Sequence, residues 1–199
     1  MKTFMTLVTV IGMIMVAQAQ QDIQFGVKGG LNIASIYGAD AGDAQARTSF
    51  HGGIMIEIPV FEKLSFQPEL LYTSLGTKED DNSELRLDYL TLPMMVKYYV
   101  ADNFSLEIGP QIGILLSAES KVEGEGEGDA KEFFKDFDAA LNLGIGYKFD
   151  NGLNLGARYN LGLIKIIDLS DFFSDGFFSD DGDIKAYNSV VQISVGYFF

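Results

Sequence analysis

Apolar and polar residues alternate along the chain in eight separate runs. In the run 141–149 every odd-numbered residue is Leu, Ile, Tyr or Phe, whereas the even-numbered residues are Asn, Gly or Lys. A period of two residues is typical of a β-strand whose two faces meet different surroundings. The pattern predicts strands at 24–37, 50–60, 64–77, 87–100, 104–118, 139–149, 153–164 and 188–199.

The connections between these runs fall into two classes. Residues 61–63, 101–103 and 150–152 are tight turns, and the last contains Asn151-Gly152, a pair that tolerates positive φ in a hairpin. The other four connections, 38–49, 76–86, 117–138 and 165–187, are long. Short turns at one end and long loops at the other are typical of an up-and-down membrane barrel with both termini on the periplasmic side.

The charged residues within the strands indicate which face is inside. Seven of them share the polar face: Lys28, Glu57, Glu69, Lys97, Glu107, Lys148 and Arg158. An eight-stranded barrel is narrow enough for its interior to be filled by side chains, so opposite charges can pair there beside small Gly residues. A soluble barrel with an apolar cavity would instead expose a ring of Leu, Ile and Tyr to water. Turning one Lys or Arg toward lipid at mid-bilayer would cost about 2–4 kcal/mol.

The fold predicted is therefore all-β: an eight-stranded, antiparallel, up-and-down transmembrane β-barrel with a charge network inside. Tyrosines that lie on the apolar face near the strand ends are expected to form interfacial girdles. They are Tyr37, Tyr72, Tyr98, Tyr147, Tyr159 and Tyr197. Pro68, Pro93 and Pro110 fall within strands, and local bulges are expected there because proline lacks an N–H donor.

The first residues do not belong to the barrel. Met1-Lys2 is followed by an apolar run and by Ala17-Gln18-Ala19, which together have the form of a secretory signal peptide. We expect residues 1–19 to be the signal peptide and 20–199 the barrel domain. The sequence contains no Cys, so neither a lipidated Cys nor a disulfide framework is predicted.

Negative charge is concentrated in the long connections. The formal net charge is -14, and nearly all of the excess lies in the four predicted loops. Solvated loops account for this; attraction of Ca²⁺ or Mg²⁺, including ions that bridge lipopolysaccharide phosphates, is the alternative. Residues 123–129 are low-complexity, and 180–183 lack the spacing of an EF-hand loop. No metal site and no cofactor are predicted.

The last long connection contains a near-duplication, DFFSDG followed by FFSDDG. Phe172, Phe173, Phe177 and Phe178 lie there among acidic residues. Four phenylalanines are not expected to stay in water, so they pack on the barrel rim, touch the outer leaflet or contact a partner protein. They are the candidate contact for an unidentified protein partner.

Little in the sequence indicates catalysis. His51 is the single histidine, at the predicted outer end of the second strand with Ser49 nearby, and we interpret it as a polar residue of the rim. No catalytic residue is predicted. The Gly-rich segments precede no helix that could bind a phosphate, and no basic patch suggests nucleic acid.

Four phrases resemble the PorT-like outer-membrane β-barrel family: FGVKGGLNIASI (25–36), FQPELLYTSLG (66–76), LDYLTLPMMVKYY (87–99) and LEIGPQIGILLSAE (106–119). The ending, with Tyr197 and Phe199, is similar to the signal read by the barrel-assembly machinery. The resemblance implies an eight-stranded porin-family barrel in the outer membrane of a Gram-negative bacterium, in contact with its lipids and lipopolysaccharide. The founding member is linked to type IX secretion, and no catalytic motif carries over.

From these features we expect a non-enzymatic structural or interaction component of the outer membrane, in a secretion or surface assembly. A narrow porin-like channel for small solutes is the alternative.

Overall fold

The computed structural model describes residues 23–37, 45–80, 83–122, 126–164 and 186–199. Within these residues the chain forms nine strands: β1 (Gln24–Tyr37), β2 (Gln45–Phe61), β3 (Leu64–Asp80), β4 (Ser83–Tyr99), β5 (Phe104–Val122), β6 (Gly126–Asp129), β7 (Phe137–Lys148), β8 (Leu153–Gly162) and β9 (Tyr187–Phe198). A 3₁₀ turn at Lys131–Phe133 separates β6 from β7. Among the described residues, no helix has the length and apolar character needed to cross a membrane.

Eight of the strands close into a barrel. Each strand pairs antiparallel with its neighbours in the order β4-β3-β2-β1-β9-β8-β7-β5, and a β4–β5 pairing joins the two ends of this sheet. The four-residue β6 adds only a short hairpin to β5, pairing Gly126 with Val122 and Asp129 with Glu119. The predicted eight-stranded antiparallel barrel is confirmed, because neither edge of the sheet is left open.

The barrel has a turn end and a loop end. We call the end that carries the three short connections, Gln24 and Phe198 the turn end, and the opposite end the loop end. The predicted turns are confirmed, and Gly152 has the positive φ of 88° expected for the Asn-Gly hairpin. At the loop end the strands run farther than predicted, since β2 begins at Gln45 and β5 continues to Val122. Backbone pairing continues there without alternation between apolar and polar faces.

The outer surface is an apolar belt. Outward side chains such as Leu106, Ile145 and Ile193 are 45–58% exposed, and an apolar surface of this extent requires hydrocarbon around it. Of the six predicted girdle tyrosines, five are outward and well exposed, while Tyr72 is half-buried. Aromatic pairs mark both ends of the belt, with Tyr37 stacked on Tyr187 at the loop end and Tyr147 against Phe149 at the turn end.

The bulges predicted at Pro68, Pro93 and Pro110 are wrong. The register on both sides of these prolines is unchanged, as in the β3–β4 pairs that flank Pro68 and the β5–β7 pairs that flank Pro110. The missing N–H therefore costs a ladder bond without inserting a residue. A shift in the β2–β3 register does fall at Pro59, next to the turn end.

Candidate functional site: the barrel interior

Seven of the eight barrel strands each place one charged side chain in the middle of the barrel. These are the seven residues of the polar face: Lys28 on β1, Glu57 on β2, Glu69 on β3, Lys97 on β4, Glu107 on β5, Lys148 on β7 and Arg158 on β8. β9 contributes the buried polar side chains of Gln192 and Ser194 instead. Six of the seven charged side chains are no more than 6% exposed, and Lys148 is 21% exposed.

Glu69 is the hub of one half of the network. Its Oε1 accepts hydrogen bonds from Lys28 Nζ at 2.9 Å, Arg158 Nη2 at 2.9 Å and Gln67 Nε2 at 2.6 Å. Its Oε2 accepts a further bond from Arg158 Nη1 at 3.0 Å. The Arg158–Glu69 contact is therefore bidentate, the geometry in which a guanidinium holds a carboxylate most firmly.

Lys97 is the hub of the other half. Its Nζ lies 3.2 Å from Glu57 Oε2 and 3.6 Å from Glu107 Oε1, and it donates to Gln67 Oε1 at 3.1 Å. Arg158 joins the two halves, because its Nη2 also lies 3.3 Å from Glu107 Oε2. A buried charge is tolerated only when it is paired and hydrogen-bonded, and this network provides both for each carboxylate.

Lys148 ends the network at the turn end. Its Nζ lies 3.3 Å from Glu57 Oε2, donates to Gln24 Oε1, and stands 4.6 Å from the centre of the Phe198 ring. Tyr99 donates its hydroxyl to Glu57 Oε1 at 2.6 Å. The seven charged side chains therefore form one connected chain of contacts from Lys28 to Lys148.

A cavity of about 1080 Å³ opens at the turn end. The three short turns surround it, and Glu57, Tyr99, Lys148 and the buried Ser65 line it. Among the network members, only Glu57 and Lys148 line this cavity. Solvent therefore reaches the ion network from this end of the barrel.

An apolar cluster lies toward the loop end of the interior. Buried side chains from several strands pack into one cluster: Ala34, Leu75, Leu87, Tyr89, Leu115, Ala118, Ala186 and Val190. Phe134, which follows the 3₁₀ turn, packs against this cluster from the loop between β6 and β7. Close-packed apolar side chains exclude water from the part of the interior that they fill. The described interior is thus ionic in the middle, and toward the loop end it combines this apolar cluster with buried polar side chains such as Asp138 and Asn188.

Glycine on the inward face makes room for the charges. A Cβ on Gly146 would stand 2.4 Å from Glu107 Oε1 and 2.8 Å from Ser105 Oγ. A Cβ on Gly30 would stand 2.7 Å from Cε1 of His51. Distances below 3.0 Å are not found for real Cβ atoms, so larger residues at these positions would displace the polar side chains.

His51 is not the rim residue predicted from the sequence. Because β2 starts at Gln45, His51 lies inside the barrel, 3% exposed, with its Nδ1 2.7 Å from Asn32 Oδ1. The Ser49 hydroxyl donates to the carbonyl of Ser74 at 2.6 Å, and the His51 ring bonds to Asn32 instead. The two residues do not form a nucleophile–base pair.

The polar faces of the strands also carry amide side chains, and the structure shows how these pair inside the barrel. Asn160 donates to Asn142 Oδ1 at 2.9 Å, Asn142 donates to Gln111 Oε1 at 3.2 Å, and Asn188 donates to Asp138 Oδ2 at 3.2 Å. All of them lie on the polar face of their strands, so the alternation that places the charged residues inside the barrel places these there too.

Several predictions concern residues outside the described ranges. They include the signal peptide at 1–19, the four phenylalanines Phe172, Phe173, Phe177 and Phe178, and the acidic segment 180–183. Among the described residues, no group of three or more His, Asp or Glu side chains is placed to hold a metal ion. Tyr197 and Phe199 lie at the turn end with their rings in edge contact.

Comparison with known structures identifies the same architecture. Neisserial surface protein A, at 13% identity, covers 90% of this chain and 100% of its own with a TM-score of 0.59. Ail, the attachment invasion locus protein of Yersinia pestis, has 12% identity, the same coverage and a TM-score of 0.51. At these identities the likeness concerns the fold alone. No curated protein matches the sequence.

A family model extends the comparison to the sequence itself. The model described as "Outer membrane protein beta-barrel domain" matches residues 17–168, which is most of the chain. The matched segment carries all seven charged residues of the interior. The chain belongs to the outer membrane protein β-barrel domain family.

Proposed function

We propose that this outer membrane β-barrel protein is a non-enzymatic structural or interaction component of the membrane and does not conduct solutes. The observation that supports this is the packed interior, in which the ion network spans the middle and the apolar cluster around Leu87 and Leu115 lies toward the loop end. A conducting pore requires a continuous aqueous path, and packed side chains occupy it here.

Conductance in planar lipid bilayers tests the proposal. The purified protein is expected to give no steady single-channel steps, while an open porin measured alongside it does. A variant in which Leu87 and Leu115 are both replaced by Ala removes side chains from the apolar cluster and is the matched control. Steady steps from the wild type, as large as those of this variant, would show that the interior does not seal the barrel.

A narrow channel for small solutes is the second candidate, and the cavity at the turn end favours it. A solute entering there would meet Lys148, the most exposed member of the network. To pass farther it would have to separate Lys97 from its carboxylate partners. Solute-dependent conductance that changes on Lys148→Met substitution would support the channel.

The absence of catalysis is part of the proposal. The single histidine is buried among interior side chains, and the nearby Ser49 hydroxyl is bound to a backbone carbonyl. A hydrolytic site would need a reachable nucleophile and base. Lipid- or peptide-cleaving activity that is lost in His51→Ala would contradict this.

The long loops are proposed to carry the interaction. Ail has also been solved in complex with the heparin analogue sucrose octasulfate. A polyanion of that kind does not suit this chain, because its own net charge is -14 and concentrated in the loops. We propose a protein partner that meets Phe172, Phe173, Phe177 and Phe178.

Crosslinking in cells tests the partner. A photoreactive residue at Phe172 or Phe178 is expected to capture another protein, whereas the same residue at Phe25, on the apolar outer belt, is the control. Crosslinks confined to the protein's own barrel rim would contradict the proposal and support rim packing.

The resemblance to PorT-like barrels supports a place in a secretion or surface assembly of a Gram-negative outer membrane. Tyr197 and Phe199, at the end of β9, are proposed to be read by the barrel-assembly machinery. Co-purification from native membranes in mild detergent tests the assembly. Deletion of Phe199 is expected to lower the amount of protein in the outer membrane, and an unchanged amount would exclude this role.

A further inference from the structure

The hydrogen bonds of Asn32 fix the orientation of its side chain amide. Its Nδ2 donates to the carbonyl of Phe50 and to the carbonyl of Ser74, each at 2.9 Å. Its Oδ1 is then the acceptor, and it receives Gln192 Nε2 at 3.0 Å. His51 Nδ1 lies 2.7 Å from the same oxygen. Because that oxygen can only accept, Nδ1 of His51 must carry the hydrogen.

The tautomer of His51 follows. With its hydrogen on Nδ1, the neutral ring has a lone pair and no hydrogen on Nε2. Nε2 is buried and has no hydrogen-bond partner among the described protein atoms. The cations Lys28 and Arg158 lie within electrostatic reach of the ring, and the oxygens of Glu69 already bind both. A neutral ring that accepts at Nε2 fits these surroundings.

Two neighbouring buried polar atoms on β8 also lack partners among the described residues, while a third on that strand, Asn154 Nδ2, lies nearer the turn end. Arg158 Nε is a donor, and Asn160 Oδ1 is an acceptor because the amide nitrogen of Asn160 donates to Asn142. Arg158 and Asn160 are two residues apart on the inward face of β8. Gln192 pairs with Arg158 in the sheet and donates to Asn32 Oδ1, and Arg158 lies within electrostatic reach of His51, so these residues border the same part of the interior.

We propose that these three atoms bind one buried water molecule. The water would accept the hydrogen of Arg158 Nε and donate its two hydrogens to His51 Nε2 and Asn160 Oδ1. One donor and two acceptors are the partners that a single water satisfies, and internal waters commonly make three hydrogen bonds. The missing side chain of Gly30 is what admits the edge of the histidine ring at this position.

The water site connects two parts of the interior. Arg158 belongs to the ion network through Glu69, while Asn160 begins the amide chain through Asn142 to Gln111. With the water bound, His51 links the ion network and the amide chain to Asn32 on β1. The site suits a small neutral molecule that both donates and accepts hydrogen bonds. Water has these properties and is always present in solution.

Nuclear magnetic resonance of the ¹⁵N-histidine-labelled protein in lipid nanodiscs tests the tautomer. His51 is the single histidine of the chain, so its signals need no assignment once the protein is prepared without a polyhistidine tag. The expected spectrum shows a one-bond N–H correlation at Nδ1 and none at Nε2. A hydrogen on Nε2 overturns the proposal.

The same sample tests the water. A cross-peak between the Cε1 hydrogen of His51 and a long-lived water is expected in the wild type and is expected to disappear in Asn160→Leu. Asn154→Leu is the matched control, since Asn154 is another buried asparagine on the inward face of β8, and it should retain the cross-peak. A cross-peak absent from the wild type, kept in Asn160→Leu or lost alike in both variants refutes the site.

Discussion

Replacing Glu69 by Gln should destabilise the barrel more than any other single charge removal in its interior. The substitution keeps the shape of the side chain but removes the charge that Lys28 and Arg158 share. Of the four hydrogen bonds to its carboxylate, three come from charged donors. The amide offers one acceptor oxygen in place of two. Breaking a buried ion pair on one side costs about 3–5 kcal/mol, because the partner charge stays buried without compensation.

The double variant Glu69→Leu with Arg158→Met distinguishes the effect of losing an ion pair from the effect of changing the net charge of the network. In the wild type the ion network has four positive and three negative side chains; Glu69→Gln leaves four and two, while the double variant leaves three and two. The original excess of one positive charge is thereby restored. Replacing both members of a buried pair by apolar residues is often nearly neutral, so the double variant should be more stable than Glu69→Gln.

Urea unfolding in lipid vesicles, followed by circular dichroism and by the gel mobility of the folded form, gives the free energies of unfolding. Since the chain has no Trp, tryptophan fluorescence is not an option. Glu84→Gln is the matched control, because Glu84 pairs with Arg47 at the loop end with its side chain 35% exposed. Pairs of this kind contribute less than about 1 kcal/mol. Equal losses for Glu69→Gln and Glu84→Gln would refute the reasoning.

Three further predictions follow from the interior and the belt. Gly146→Ala should lower the free energy of unfolding by about 1–3 kcal/mol, because the added Cβ would push Glu107 from its partners. Gly128→Ala is the control and should change the stability little, since no atom lies within 4 Å of the added Cβ. Equal unfolding curves for the two variants would contradict this. Ile145→Lys should cost about 2–4 kcal/mol by placing a charge on the outer belt, and an unchanged stability would mean that Ile145 does not face hydrocarbon. Since the chain has no Cys, a single introduced Cys can be labelled selectively. A membrane-impermeant thiol reagent should modify Ser65→Cys, which lines the cavity, much faster than Leu115→Cys in the apolar cluster. Equal rates would show that the cluster does not exclude water.

The alternation of residue types was enough to predict the faces of the strands. A strand has only two faces, so each charged residue on the polar parity had to share the interior once the apolar parity was assigned to lipid. The pairing within the interior could not be predicted. Glu69 meets Lys28 at a separation of 41 residues and Arg158 at 89, and such contacts across the barrel depend on the stagger between strands, which the alternation does not encode.

His51 was misplaced because the apolar alternation covers only part of β2. The apolar alternation of β2 starts at Phe50, but the hydrogen-bonded strand starts at Gln45, because backbone pairing needs no apolar face. A residue assigned to the rim was therefore inside the barrel. The prolines show the opposite error: a local rule about missing donors predicted bulges, while the pairing on either side kept the register fixed.

The distribution of the seven charges has a consequence for how the barrel selects its register. Because each of seven strands carries one of them, slipping any such strand by one residue against its neighbours turns a charge toward lipid. That alone costs up to about 2–4 kcal/mol for a Lys or Arg, and the abandoned partner stays buried and unpaired, which adds about 3–5 kcal/mol. The sum for one strand is comparable to the whole stability of a typical domain, about 5–15 kcal/mol. A purely apolar interior would not penalise such a slip by charge. The ion network therefore contributes to the specificity of the fold as well as to its stability, and β9, which carries no charge in the middle of the barrel, is held by the neighbours that do.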